Sequence, residues 1–91
     1  MTPFGKFLDK GIKELAAEAF WSAVKDAGID PRKIEMAFVG NSQAGMISGQ
    51  ESMRGQVIMN EIGLMGIPIL NLENACASGS AAFWTAHMAV A

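Results

Sequence analysis

The last eighteen residues of the chain, 74–91, contain no charged side chain. Helical spacing would surround the whole helix with apolar groups, namely Ala81, Ala82, Phe83, Trp84, Ala86, Met88, Ala89 and Val90. A helix without a polar face has to be covered on several sides. A membrane span is disfavoured, because polar residues interrupt an alanine-rich segment that lacks Lys and Arg flanks. The segment therefore predicts a buried helix inside a layered fold.

The charged residues are concentrated at the other end of the chain. Twelve of the sixteen charged side chains lie between Lys6 and Glu35. A small domain that folds alone spreads charge over its surface, and 91 residues allow at most one domain. We therefore expect residues 1–91 to be part of a larger domain that is truncated at the C-terminus, and expect the isolated fragment to be inactive.

Composition excludes several functional classes. A net charge of -2 with a single Cys and a single His argues against a nucleic-acid partner and supplies neither a disulfide nor a metal site. The first residues contain no apolar signal core. We expect a cytoplasmic protein with no nucleic-acid partner, no membrane span and no metal.

Periodicity and turn residues predict an alternation of helices and strands. The predicted elements are a helix over 9–27 capped by Gly28, a strand over 34–39, a loop over 41–52, a helix over 53–64, a strand over 67–72 and a helix over 78–91. This order is typical of an α/β fold with a mostly parallel sheet.

Cys76 falls between the second predicted strand and the last helix. A helix N-terminus presents unpaired N–H groups and about half a positive charge, which stabilises a thiolate. The residues that follow are small and let an acyl group approach the sulfur: Ala77, Ser78, Gly79 and Ser80. Cys76 is thus a candidate nucleophile, and the alternative is a buried structural cysteine.

A serine nucleophile is disfavoured. Ser42 follows the first predicted strand in a glycine-containing stretch, but the hydrolase elbow needs glycine two positions after the serine. Ala44 occupies that position.

Residues 71–82, with Asn74-Ala75-Cys76-Ala77-Ser78-Gly79 at their centre, resemble the nucleophile segment of the thiolase superfamily, especially its sterol-carrier-protein-like branch. Thr2-Pro3-Phe4-Gly5-Lys6 is similar to the loop that follows the first strand of thiolases. This similarity implies that the first strand is missing from the chain, so that the domain would be truncated at the N-terminus as well. Gln43-Ala44-Gly45, Gly49-Gln50 and Arg54 resemble the loop and helix before the nucleophile strand. The resemblance covers nearly the whole chain in the correct order.

The resemblance implies a thiolase-like fold with a buried nucleophile helix. It implies that Cys76 accepts an acyl group from acyl-CoA as a thioester, with its backbone N–H holding the thioester oxygen, for thiolytic cleavage or Claisen condensation of 3-ketoacyl-CoA. Coenzyme A thioesters would be substrates, no cofactor would be bound, and the enzyme would be a homodimer or a higher homo-oligomer.

The general acid and base of thiolases, a His and usually a second Cys, belong to the C-terminal half. His87 lies eleven positions beyond Cys76 on the same predicted helix, or roughly 16 Å away, so it is too distant to be the partner base. Two alternatives to a thiolase stay open. One is a condensing enzyme of the ketoacyl-synthase or hydroxymethylglutaryl-CoA-synthase type, and the other is a non-catalytic thiolase-like subunit.

Overall fold

The computed structural model describes residues 2–43, Met46 and residues 52–91. Within these ranges, helix α1 spans Ile12–Ala27, strand β1 Ala37–Gly40, helix α2 Arg54–Ile62, strand β2 Ile69–Leu72 and helix α3 Ser78–Val90, with a short 3-10 turn at Pro31–Lys33. β1 and β2 are parallel neighbours. The predicted α/β order and the parallel sheet are therefore confirmed.

Both strands begin later than predicted. Ala37 pairs with Ile69 at one end of the ladder and Gly40 with Leu72 at the other. Upstream of this ladder, the N–H of Ala37 donates to the carbonyl oxygen of Pro68 at 3.0 Å. Since Pro68 has no N–H with which to continue the ladder, residues 34–36 and 67–68 stay outside the sheet.

The two faces of the sheet carry different helices. Ile58, Met59 and Ile62 of α2 are buried against β1 and β2, and their partly buried sheet partners are Ala37, Val39 and Ile69. Ala16, Ala17 and Phe20 of α1 then cover α2. Because side chains alternate along a strand, Gly40 faces away from this cluster, and the first turn of α3 lies against it.

Glycines decide where two helices begin and end. Gly11 is the N-cap of α1, which therefore starts at Ile12 rather than at residue 9. Gly28 adopts φ 67° and its N–H donates to the carbonyl oxygen of Val24, which confirms the predicted C-cap. Gly63, with φ 93°, ends α2 at Ile62 rather than at residue 64, because a left-handed residue cannot continue the helix.

The predicted loop over 41–52 is described in part. Residues 41–43 and 52 are not helical, whereas Met46 has a helical conformation, contrary to the prediction for that residue. Residues 44–45 and 47–51 lie outside the described residues, as does Met1.

Helix α3 is covered on one side in the described part of the chain. Ser78 and Ala82 are buried, whereas Phe83 is 79% and Val90 89% exposed. Trp84 and Met88 are exposed as well. Burial of α3 on its remaining sides stays a prediction. None of the helices within the described residues is long and apolar enough to cross a membrane.

Candidate active site

Cys76 lies in a five-residue turn, 73–77, that joins β2 to α3. β2 ends at Leu72 and α3 begins at Ser78, so the predicted placement between a strand and a helix is confirmed. The Cys76 thiol is free and exposed.

The backbone of this turn is unusual at the residue before the cysteine. Ala75 has φ 46°, in the left-handed region, which costs a non-glycine residue about 1–3 kcal/mol and persists when the surroundings fix it. Ala75 lies within the turn that leads from β2 to α3. The sharp strand-to-helix turn is the kind of geometry that exposes a nucleophile at a sheet edge.

Hydrogen bonds from both sides fix the turn. The Ser78 Oγ accepts the N–H of Asn74 at 2.8 Å and donates to the carbonyl oxygen of Ala75 at 2.8 Å. The N–H of Ala75 donates to Glu73 Oε1 at 3.1 Å, and the N–H of Ala77 donates to the carbonyl oxygen of Asn74 at 2.9 Å. The left-handed residue is thus bracketed by bonds to its own and adjacent peptide groups.

Gly40, the last residue of β1, supports the start of α3. A Cβ built at this position would lie 2.6 Å from the Ser78 carbonyl carbon, closer than such atoms approach in real proteins, and 3.0 Å from the Gly79 nitrogen. The missing side chain therefore lets the two backbones touch. This contact seats the helix that follows Cys76 directly on the sheet.

The N-terminus of α3 is electrostatically open. The N-cap Ala77 provides no side-chain hydrogen bond, and the first turn of α3 holds no acidic residue among the described atoms. Helix N–H groups of the first turn lack intrahelical partners and attract negative charge. Cys76 lies two residues before this helix start.

β2 itself is held by a second set of polar contacts. Asn71 Oδ1 accepts the N–H of Gly55 at 2.6 Å, and Asn71 Nδ2 donates to Gln56 Oε1 at 2.8 Å. These bonds fasten the start of α2 to the strand that leads into the Cys76 turn.

The rival nucleophile, Ser42, has a different setting. Ser42 is half-buried, and Arg54 Nη1 donates to the carbonyl oxygens of Asn41 and Ser42 at 3.1 and 3.2 Å. Residues 42–43 form a bend, and Ala44 and Gly45 lie outside the described residues.

A cavity of about 250 Å³ lies at the carboxyl edge of the sheet, between Asn41, Arg54, Asn71 and Glu73. Ligands of open α/β sheets bind at this edge, but Cys76 does not line the cavity in the described chain. His87 is exposed on α3, and the distance argument against a role as partner base stands. The described residues contain no cluster of three or more His, Cys, Asp or Glu that could hold a metal ion.

Sequence reasoning missed three contributors to this site. It treated Ser78 as merely small, and it assigned no role to Gly40 or Asn71. A serine at a helix start is a familiar signal for backbone hydrogen bonding, so Ser78 was open to prediction. No pattern in the residues around Gly40 predicts its contact with α3.

Residues 1–91 match the family model described as thiolase, N-terminal domain. The chain is 41% identical over 90 residues to an acetyl-CoA acetyltransferase of Methanocaldococcus jannaschii, covering 99% of this chain and 23% of the relative. It is 37% identical over 92 residues to sterol carrier protein 2 of Gallus gallus, covering 99% and 16%. It is 34% identical over 91 residues to the benzoylsuccinyl-CoA thiolase subunit BbsB of Thauera aromatica, covering 98% and 21%.

The chain therefore belongs to the thiolase family through its N-terminal domain, and the predicted resemblance is confirmed. It spans about a quarter or less of the length of these relatives.

Proposed function

We propose that the chain carries the nucleophile of an acyl-CoA C-acyltransferase, and that Cys76 is that nucleophile. The observation that carries the proposal is the exposed thiol in the fixed turn 73–77, two residues before the start of α3. Two relatives bear the name acetyl-CoA acetyltransferase, which supports the reaction class.

The chemistry of the first step is a thioester exchange. The Cys76 thiolate adds to the carbonyl carbon of an acyl-CoA, and the C–S bond to CoA breaks as the CoA thiolate leaves with the electron pair. With 3-ketoacyl-CoA, addition at the C3 carbonyl instead breaks the C2–C3 bond, and the acetyl-CoA carbanion takes up a proton. Sulfur suits both the acylation of Cys76 and the later transfer of the acyl group from it, because a thiolate is a good nucleophile and a good leaving group.

The thioester oxygen becomes negatively charged during these steps. The backbone N–H of Cys76 and the uncapped start of α3 are the donors that this chain offers to it, and donors fixed before the reaction stabilise an oxyanion at little reorganisation cost. We assign neither the general acid nor the general base of the reaction to any of residues 1–91.

The proposal extends to the assembly. We propose a homodimer of the full-length protein with residues 67–75 near the subunit contact, a region that contains the partly exposed Leu70. Light scattering at micromolar concentration should give the mass of a dimer, and a monomer would contradict this part. The cytoplasmic location stays a prediction.

The exposed apolar side chains of α3 also support the proposal that residues 1–91 function within a larger fold. When residues 1–91 are expressed alone, they should show no cooperative thermal melt by near-UV circular dichroism. A cooperative melt of a monomeric sample would contradict it.

The decisive experiment maps the acyl group. Full-length protein is incubated with acetyl-CoA, quenched in acid, digested and analysed by mass spectrometry for the peptide that contains Cys76. We expect an acetyl group on that peptide that hydroxylamine removes, as it does from thioesters. An acetyl group on another residue, or none, would favour the non-catalytic subunit.

A further inference from the structure

Ser78 stands apart from the other polar residues of the described chain. Its relative exposure is 4%, and among the described residues it is the one buried polar side chain. It is the first residue of α3, yet its hydroxyl bonds backward to the turn rather than to its own helix.

The two bonds of this hydroxyl enclose Cys76. One ends on the N–H of Asn74 and the other on the carbonyl oxygen of Ala75, both at 2.8 Å. One partner is a donor and the other an acceptor, so the single atom between them must both accept and donate. A serine or threonine hydroxyl does this, whereas alanine would leave both backbone groups without this partner.

The same bonds oppose a local strain. Ala75 holds φ 46°, and the bonded groups of Asn74 and Ala75 lie on either side of its φ and ψ torsions. A strained residue keeps its conformation when its surroundings over-determine it. Without the hydroxyl, Ala75 is expected to relax toward ordinary backbone angles and to carry the next residue, Cys76, with it.

We propose that Ser78 is the positioning residue for the nucleophile: its hydroxyl locks the left-handed Ala75 and thereby holds Cys76 at the start of α3. For its catalytic consequence the proposal rests on the proposed function of Cys76. The positioning itself concerns the backbone of this chain and has a readout that needs no turnover.

The test compares Ser78→Ala with Thr85→Ala in the full-length protein. Thr85 is a matched control, because its hydroxyl also donates to a backbone carbonyl oxygen, but to that of Ala81 within α3, at 2.7 Å, rather than to one in the turn 73–77. We expect Ser78→Ala to lower kcat by roughly tenfold to a hundredfold, the range that a misplacement of about 1 Å causes. KM should stay within about twofold, and Thr85→Ala should match wild type.

Two further measurements separate positioning from a general loss of structure. Ser78→Thr retains a hydroxyl that accepts and donates, and should restore most of the lost kcat. The rate at which iodoacetamide alkylates Cys76, followed on its peptide by mass spectrometry, should fall in Ser78→Ala and recover in Ser78→Thr. Equal alkylation rates in wild type and a folded Ser78→Ala would overturn the proposal, whether or not the protein acylates Cys76.

The variant Ala75→Gly covers the case in which Ser78→Ala does not fold. Glycine adopts φ 46° without strain, so Ala75→Gly combined with Ser78→Ala should fold and should lose less kcat than Ser78→Ala alone. If the serine change is equally damaging with and without Ala75→Gly, or prevents folding in both backgrounds, the hydroxyl does not act through this turn. If Cys76 is not acylated in wild type but the alkylation results hold, the proposed function fails and the positioning stands.

Discussion

The two strands end side by side at the same edge of the sheet, and each is followed by a residue able to act as a nucleophile. After β1, Ser42 is half-buried and its carbonyl oxygen accepts a hydrogen bond from Arg54. After β2, Cys76 is exposed in a turn that ends at the start of α3. The proposed function assigns the chemistry to the second strand end, at Cys76, and a supporting role to the first.

The difference lies in the turn that follows each strand. After β2, Ala75 takes a left-handed conformation and Ser78 closes the turn with two hydrogen bonds. After β1, the Arg54 guanidinium donates hydrogen bonds to the carbonyl oxygens of Asn41 and Ser42. On the proposed function, the start of α3 is what favours Cys76 as the nucleophile, because negative charge is stabilised at a helix N-terminus.

The largest expected effect separates the two nucleophile candidates. Cys76→Ser should lower acyl transfer by at least about a thousandfold, because a hydroxyl lacks thiolate character at neutral pH. Ser42→Ala should stay within about twofold of wild type, measured as kcat/KM with acetyl-CoA. A loss in Ser42→Ala with a fully active Cys76→Ser would reverse the assignment.

A second prediction concerns how β1 supports the Cys76 turn. Gly40→Ala should destabilise the protein by about 1–3 kcal/mol, the usual cost of adding atoms to a packed contact, because the new methyl meets the backbone of Ser78. Gly79→Ala is the matched control. It adds the same methyl where no described atom lies within 4 Å apart from its chain neighbours and the backbone of its own helix, and should stabilise α3 by up to about 1 kcal/mol.

Thermal midpoints and amide hydrogen exchange in α3 would report both glycine variants. If Gly40→Ala leaves exchange in α3 unchanged, the contact between the strand end and the helix does not hold the turn.

A third and smaller effect is expected at β2. Asn71→Ala removes hydrogen bonds to Gly55 and Gln56 and should cost about 1 kcal/mol, the usual net contribution of such bonds. Asn60→Ala, at an exposed position of α2, should be close to neutral. Hydrogen exchange of the Gly55 amide should accelerate in the first variant alone, and equal rates in both would contradict the role of Asn71.

The smallest effect is expected away from both strand ends, at Asp30. Hydrogen bonds from Arg32 lower the pKa of the Asp30 carboxyl below its ordinary value. Its contribution to stability is present above the ordinary carboxyl pKa, near 4, and is lost as the pH falls through the lower folded-state value. Asp30→Asn should therefore lower the thermal midpoint slightly at pH 7, and the difference from wild type should disappear at low pH, while Cys76 acylation is unaffected. A midpoint difference that persists at pH 2 would show that charge is not the cause.

Local patterns were sufficient to predict the elements but not their bounds. The order of helices and strands and the cap at Gly28 follow from periodicity and turn chemistry, both of which are local. The strand starts were wrong, because the ladder depends on which residue faces Pro68 across the sheet. The helix predicted over 9–27 began too early because Gly11 is its N-cap.

By itself, the sequence determined the α/β class, the thiolase resemblance and the place of Cys76 between a strand and a helix, since these are encoded in neighbouring residues. The tertiary structure decided that Ala75 is left-handed, that the Ser78 hydroxyl closes the turn and that Gly40 lies under the first turn of α3. The physical reason is that the last of these contacts joins backbones far apart in sequence. Such a contact exists only once β1 and β2 are paired and α3 is packed against them.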